Sequence, residues 1–119
     1  MSVEPKPEEI LETLTKARQL LLDKEWTQGC FGREASGKAC MTIDPKCSAY
    51  SMEGALRAAT LVYPVRWACE DVLAECIPIK SSVHLYGWND AEDRTKEQVI
   101  AVYDRAIAHM TAVVMKSQR

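Results

Sequence analysis

The chain has 119 residues, enough for one folded domain, and 47% of them are hydrophobic and can form its core. Its 15 basic and 17 acidic residues nearly balance, with a net charge of −2 and no basic stripe along the sequence. This charge pattern disfavours a nucleic-acid binder, because such proteins usually concentrate Lys and Arg on one face. No apolar segment approaches the roughly 18 residues of a membrane-spanning helix, so we expect no membrane partner.

Five cysteines is an odd number, so at least one thiol has no partner within the chain. The sequence opens on polar and charged residues rather than on a secretory signal. We therefore predict a cytoplasmic protein with free thiols and no structural disulfide. The cysteines lie at positions 30, 40, 47, 69 and 76.

The first helical pattern runs from about Glu8 to Asp23. Its apolar residues recur at helical spacing and predict one buried face. They are Ile10, Leu14, Ala17 and Leu21. Residues 1–7, which include two prolines, are expected to form a flexible N-terminal tail.

Residues 26–42 lack this pattern and contain two short apolar segments on either side of Ser36-Gly37. Short apolar segments around a Ser-Gly turn are typical of a β-hairpin. Gly29 and Gly32 weaken the first strand, because glycine contributes no side chain to pack. The sequence therefore predicts a small hairpin after the first helix.

Asp44 and Pro45 match a helix N-cap and first helical position, so we predict a second helix from Asp44 to about Val62. Glu53 and Arg57 are spaced in it as an ion pair. One apolar face of this helix is predicted to be buried. Its residues are Ala49, Met52, Leu56, Ala59 and Tyr63.

Pro64 is predicted to open a third helix that ends at Pro78. Its expected buried residues are Val65, Cys69, Val72 and Cys76. Residues 79–93 are predicted to form a loop, and Thr95 with Gln98 matches the capping box of a last helix. The predicted fold is thus mainly α, a single domain over residues 1–119 with about four helices and the hairpin between the first two.

Metal binding and nucleophilic catalysis are both weakly supported. Cys30, Cys40, Cys47 and His84 could meet as a zinc site, but no pair has the short spacing typical of zinc ligands. His109 falls on the polar side of the last helix, and no known nucleophile or phosphate-binding motif is present. We therefore predict no catalytic residue, no metal and no cofactor.

A group of polar and aromatic residues is the best candidate for a binding site. Tryptophan beside hydrogen-bonding side chains is typical of ligand pockets and of interface hot spots. The same residues can instead be structural, with the tryptophans covering the core and the polar side chains capping helices. We favour the structural interpretation. The candidates are Trp26, Gln28, Glu53, Trp88, Asn89, Asp90 and Arg94.

Five short segments, in this order, resemble an uncharacterised small-domain family of bacteria and their phages, over about residues 8–110. They are W-T-Q-G at 26–29, G-A-L at 54–56, W-N-D at 88–90, R-T at 94–95 and D-R-A-I at 104–107. The family often has a cysteine shortly before G-A-L, where this chain has Tyr50 and Ser51, which argues against a cysteine nucleophile there. The resemblance implies no activity.

The leading functional hypothesis is a non-catalytic accessory or protein-interaction module of bacterial or phage origin, one form of which is a phage-type inhibitor of a host system. The partner would be a protein. The alternative is a small-ligand binder or minor enzyme with a pocket near five of the candidates. These are Trp26, Glu53, Trp88, Asn89 and Asp90. A deep pocket would favour the alternative, whereas a packed centre with an exposed apolar patch would favour the partner.

Overall fold

A computed structural model describes residues 4–78 and 85–118. The described residues form five α-helices and four short β-strands, which confirms the prediction of a mainly α fold with a small β-structure between the first two long helices. The helices are α1 (Pro7–Asp23), α2 (Met52–Ala59), α3 (Tyr63–Cys76), α4 (Leu85–Asn89) and α5 (Lys96–Ser117). The strands are β1 (Glu25–Trp26), β2 (Gly32–Glu34), β3 (Ala39–Cys40) and β4 (Cys47–Tyr50).

Helix α1 lies at the centre and packs against α2, α3 and α5. It begins at Pro7, within the predicted tail, and the backbone N–H of Lys6 donates to Glu9 Oε1 at 2.9 Å. Residues 1–3 of that tail lie outside the described residues. Leu14, Ala17 and Leu21 are completely buried, so most of the predicted face is confirmed. No described helix combines the length and the apolar character that crossing a membrane requires.

The four strands form one sheet in the order β1-β4-β2-β3. Strands β2 and β3 are the predicted hairpin, and Gly37 in its turn has a φ of +94°. Strand β4 lies between β1, to which it is parallel, and β2, to which it is antiparallel.

The predicted start of the second helix at Asp44 is wrong. Asp44 Oδ1 accepts the backbone N–H of Lys46 at 2.8 Å and so stabilises a turn rather than a helix. The following residues become β4, which gains backbone partners on both sides. Helix α2 begins at Met52 instead, with Ser51 Oγ accepting the N–H of Gly54 at 3.0 Å, and it ends at Ala59.

Helix α3 begins near Pro64, and Ile77 caps it before Pro78, as predicted. Its buried residues include Val65 and Cys69, but Leu73 is buried where Val72 was expected. Tyr63, predicted to be buried at the end of the second helix, is 59% exposed, because the earlier end of α2 turns it outward.

The predicted loop over residues 79–93 contains the five-residue helix α4, which is too short to show a helical period in sequence. Residues 79–84 of that loop lie outside the described residues. The capping box of α5 is confirmed: Gln98 N–H donates to Thr95 Oγ1 at 3.2 Å, and Thr95 N–H donates to Gln98 Oε1 at 3.0 Å.

Candidate functional site

Asn89 is the centre of the predicted site and is completely buried. Its Oδ1 accepts the indole N–H of Trp26 at 2.7 Å and the backbone N–H of Met52 at 3.0 Å. Its Nδ2 donates to the carbonyl of Thr27 at 3.1 Å and to Asp90 Oδ1 at 3.0 Å. All four hydrogen-bonding positions of the amide are therefore occupied. The side chain joins α4 to β1 and accepts the first backbone N–H of α2, so it satisfies a helix end, as a cap does, and makes further contacts that the sequence did not predict.

Gln28 and Asp90 complete this connection. Gln28 Nε2 donates to the carbonyl oxygens of Asn89 at 2.9 Å and Ala91 at 2.8 Å. Asp90 Oδ1 also accepts the N–H of Gly29 at 3.0 Å, where Gly29 has a φ of +83°. The polar side chains of the W-T-Q-G and W-N-D segments thus bind each other across the fold.

Trp88 and Arg94 lie beside this network. Trp88 is 5% exposed, and the Arg94 guanidinium lies 3.9 Å from the centre of its ring. Arg94 Nε donates to the carbonyl of Trp88 at 2.9 Å. Six of the seven predicted residues are therefore together, and we call them the Asn89 cluster. They are Trp26, Gln28, Trp88, Asn89, Asp90 and Arg94.

The two cluster tryptophans differ in what their indole nitrogens do. Within the described residues Trp88 Nε1 is buried without a hydrogen-bond partner, whereas Trp26 Nε1 donates to Asn89. We expect Trp88→Phe to lower the free energy of unfolding by only about 1 kcal/mol, because the substitution breaks no hydrogen bond. Trp26→Phe should cost about 2 kcal/mol, because it leaves Asn89 Oδ1 short of a donor. Urea denaturation measures both, and equal losses would contradict this difference.

Glu53, the seventh predicted residue, is buried in a separate charged group. Its Oε2 accepts from Arg57 Nη2 at 3.0 Å, which confirms the predicted ion pair, and the Arg57 guanidinium lies 4.1 Å from the Phe31 ring centre. The Glu70 carboxyl lies beside it, and Arg66 pairs with Glu70 at 3.4 Å. Burial raises the pKa of Glu70, the Glu53 carboxylate raises it further, and Arg66 and Arg57 oppose this rise.

The raised pKa of Glu70 gives a testable pH dependence. The folded protein holds this proton more tightly than the unfolded chain, so the free energy of unfolding falls as pH rises through the raised pKa. Glu70→Gln should make that fall shallower and raise the Tm at neutral pH. Urea denaturation between about pH 4 and about pH 7 measures the slope. Glu75→Gln, on the exposed side of the same helix, should leave the slope unchanged; equal slopes for all three proteins would refute the expectation.

A cleft of about 220 Å³ lies next to the Asn89 cluster. Asp90 is the one predicted site residue among those that line it; the cluster tryptophans and Asn89 are not part of its wall. The lining residues are Gly29, Cys30, Phe31, Ser51, Tyr86 and Asp90. Apart from Asp90, the cluster residues are thus not part of the cleft wall.

Sequence reasoning missed an exposed apolar surface at the junction of α2 and α3, which we call the α2–α3 patch. It consists of Leu61, Val62, Tyr63 and Trp67, exposed by 74%, 55%, 59% and 54%. The rings of Tyr63 and Trp67 stack with their centres 6.1 Å apart, and the Arg66 guanidinium lies 4.9 Å from the Tyr63 ring centre. The available signal was the apolar run Leu61-Val62-Tyr63 directly before Pro64, a residue that interrupts a helix.

The patch continues into a groove of about 650 Å³, which we call the α1–α2 groove. Leu61 belongs to both surfaces. The groove lies between α1, the end of α2 and the connection from β3 to β4. Its walls include Lys16, Leu20, Lys24, Ile43, Asp44, Pro45, Ala58 and Ala59.

A family model matches residues 5–109, which include the Asn89 cluster and all four strands. The chain belongs to DUF6197, a family of unknown function. This finding confirms the resemblance to an uncharacterised small-domain family. No curated protein and no solved structure shows a significant match to this DUF6197 chain.

The cysteines of this DUF6197 chain lie in different surroundings. Burial raises the pKa of Cys69 to about 12, and its thiol contacts the carbonyl of Ile10 at 3.7 Å. Burial and the neighbouring Cys47 thiol raise the pKa of Cys40 to about 11. Cys30 is half-buried at the cleft, and His84, the other predicted zinc ligand, lies outside the described residues. The described part of the chain contains no group of three potential metal ligands, and His109 is exposed.

Proposed function

We propose that this DUF6197 chain is a non-catalytic protein-interaction module that binds its partner through the α2–α3 patch. The observation that supports this most is the stacked, half-exposed pair of Tyr63 and Trp67 beside Leu61 and Val62. Contiguous exposed apolar surface on a small protein is typical of an interaction site. Tryptophan and tyrosine are also the residues that most often dominate binding energy at interfaces.

The contacts around the patch support the same proposal. Arg66 lies over the Tyr63 ring and pairs with Glu70, while Pro64 fixes the first turn of α3. Side chains that are ordered before binding lose less conformational entropy when they bind. The Asn89 cluster, by contrast, uses its polar groups for contacts within the fold, which favours a structural role for it.

The near-neutral charge supports a protein partner over a nucleic acid. The resemblance to bacterial and phage domains supports a bacterial or phage origin for the module, and its odd number of cysteines supports a cytoplasmic location. Inhibition of a host system is one role that fits such a module. A binding surface without catalysis is sufficient for that role.

The test is a cross-linking pull-down from native host cells with matched surface variants. Leu61→Ser/Trp67→Ser should abolish capture of a partner that the wild-type protein retains, with a Tm within about 2 °C of wild type, because both side chains are exposed. Met115→Ser is the control, since Met115 is 61% exposed and belongs to α5 rather than to the patch. Capture that is equal for all three proteins, or no capture by any, would contradict the proposal.

A further inference from the structure

We infer that the α1–α2 groove binds an apolar segment of the partner protein that carries two acidic residues. This inference rests on the proposed function, because the groove continues the α2–α3 patch through Leu61. The proposed function gives the location of the interface, and this inference gives the chemistry of the partner segment that binds there.

The floor and walls of the groove favour an apolar segment. Ala58 and Ala59 line it with small side chains, which allow the backbone of a bound segment to approach α2 closely. Ile43 and Leu61 are 59% and 74% exposed, and both line the groove. An amphipathic segment that covers them would remove this apolar surface from water, as in other groove-binding peptides.

Two lysines of the groove supply the charge. Lys16 lies in α1 and Lys24 caps the C-terminal end of that helix; both line the groove, and eight residues of helix span about 12 Å. Among the ion pairs of the described residues, neither ammonium has a carboxylate partner. Lys24 Nζ donates to the carbonyl of Cys47 at 3.4 Å, which leaves further N–H donors free.

The one acidic residue of the groove cancels only part of this charge. The lining has two lysines and Asp44, which leaves a net charge of +1, and Asp44 Oδ1 accepts the backbone N–H of Lys46 within its own turn. A segment with two carboxylates about 12 Å apart, seven or eight residues apart in a helix, would meet both lysines. Complementary charges of this kind chiefly set specificity and the rate of association.

The experiment uses a displayed library of random peptides of about 16 residues, long enough for four helical turns, selected on the full chain. We expect selected peptides to combine apolar residues with two Asp or Glu. Lys16→Glu/Lys24→Glu should weaken their binding by about tenfold or more, and peptides with Lys in place of the acids should regain affinity for that variant. Lys38→Glu, on the exposed hairpin turn, is the control and should change affinity less than about twofold.

The outcomes separate this inference from the proposed function. Peptides that lose binding on Leu61→Ser/Trp67→Ser but not on the lysine double variant would overturn the acidic partner and leave the patch as the interface. Peptides that are insensitive to both variants, or no selected peptides, would overturn both proposals. A dimer in sedimentation that Leu61→Ser dissociates would identify a second copy of the chain as the occupant and overturn the acidic segment.

Discussion

Replacing Gly54 with alanine is expected to unfold the protein or to lower its free energy of unfolding by more than about 4 kcal/mol. A Cβ at this position would overlap the carbonyl oxygen of Phe31 and lie 2.7 Å from its carbonyl carbon. Both atoms belong to the backbone, so no side chain can rotate away. The same carbonyl accepts the N–H of Ser51 at 3.1 Å, which holds the two segments together.

Urea denaturation followed by circular dichroism measures this loss. Gly37→Ala is the matched control, because Gly37 has a φ of +94° but no atom within 4 Å of an added Cβ. Its cost should be limited to backbone strain of about 1–2 kcal/mol. A Gly54→Ala protein that unfolds at the same urea concentration as wild type would show that α2 does not approach Phe31 as described.

Asn89→Ala is expected to cost about 3–5 kcal/mol, because it removes a buried side chain and leaves several polar groups without partners. The groups affected are the Trp26 indole N–H, the Met52 N–H and the Thr27 carbonyl. A helix cap, the role that the sequence predicted, would cost only about 1 kcal/mol. Thermal and urea denaturation of the variant therefore distinguish the two roles.

Asp90→Ala is the neighbouring control. Asp90 is exposed and accepts two hydrogen bonds, so its loss should cost about 1 kcal/mol. A much larger loss of free energy of unfolding for Asn89→Ala than for Asp90→Ala would identify the Asn89 side chain as the group that holds β1, α2 and α4 together. Similar losses for both would place the structural role in the loop as a whole rather than in the buried amide.

The helices were predictable where local signals and burial agree. The periodic apolar face of α1 and the capping box of α5 are set by residues within a few positions of each other. Strand β4 was not predictable in this way, because Asp44 and Pro45 fit a turn as well as a helix start. The pairing of β4 with β1 and β2 decides between them, and it depends on residues elsewhere in the chain.

The candidate site also depends on contacts between residues that are far apart in sequence. Six of the seven predicted residues lie together, but Trp26 and Asn89 are 63 positions apart and no local pattern pairs them. Glu53 was grouped with them although its partner is Arg57, within the same helix. Tyr63 was predicted to be buried because the second helix was predicted to continue to about Val62, whereas α2 ends at Ala59.

The strand order also has a consequence for how this chain folds during synthesis. Every strand has its neighbours between residues 25 and 50, so the whole sheet can pair soon after this segment leaves the ribosome. Packing of α1 against α5, by contrast, joins segments that are far apart in sequence, Pro7–Asp23 and Lys96–Ser117. Contacts between distant positions form late because the closure of a long loop costs entropy. Helices α2 and α3 can cover part of the apolar face of α1 earlier, but the part that packs against α5 stays uncovered until α5 has been synthesised, and during this interval it is exposed to aggregation.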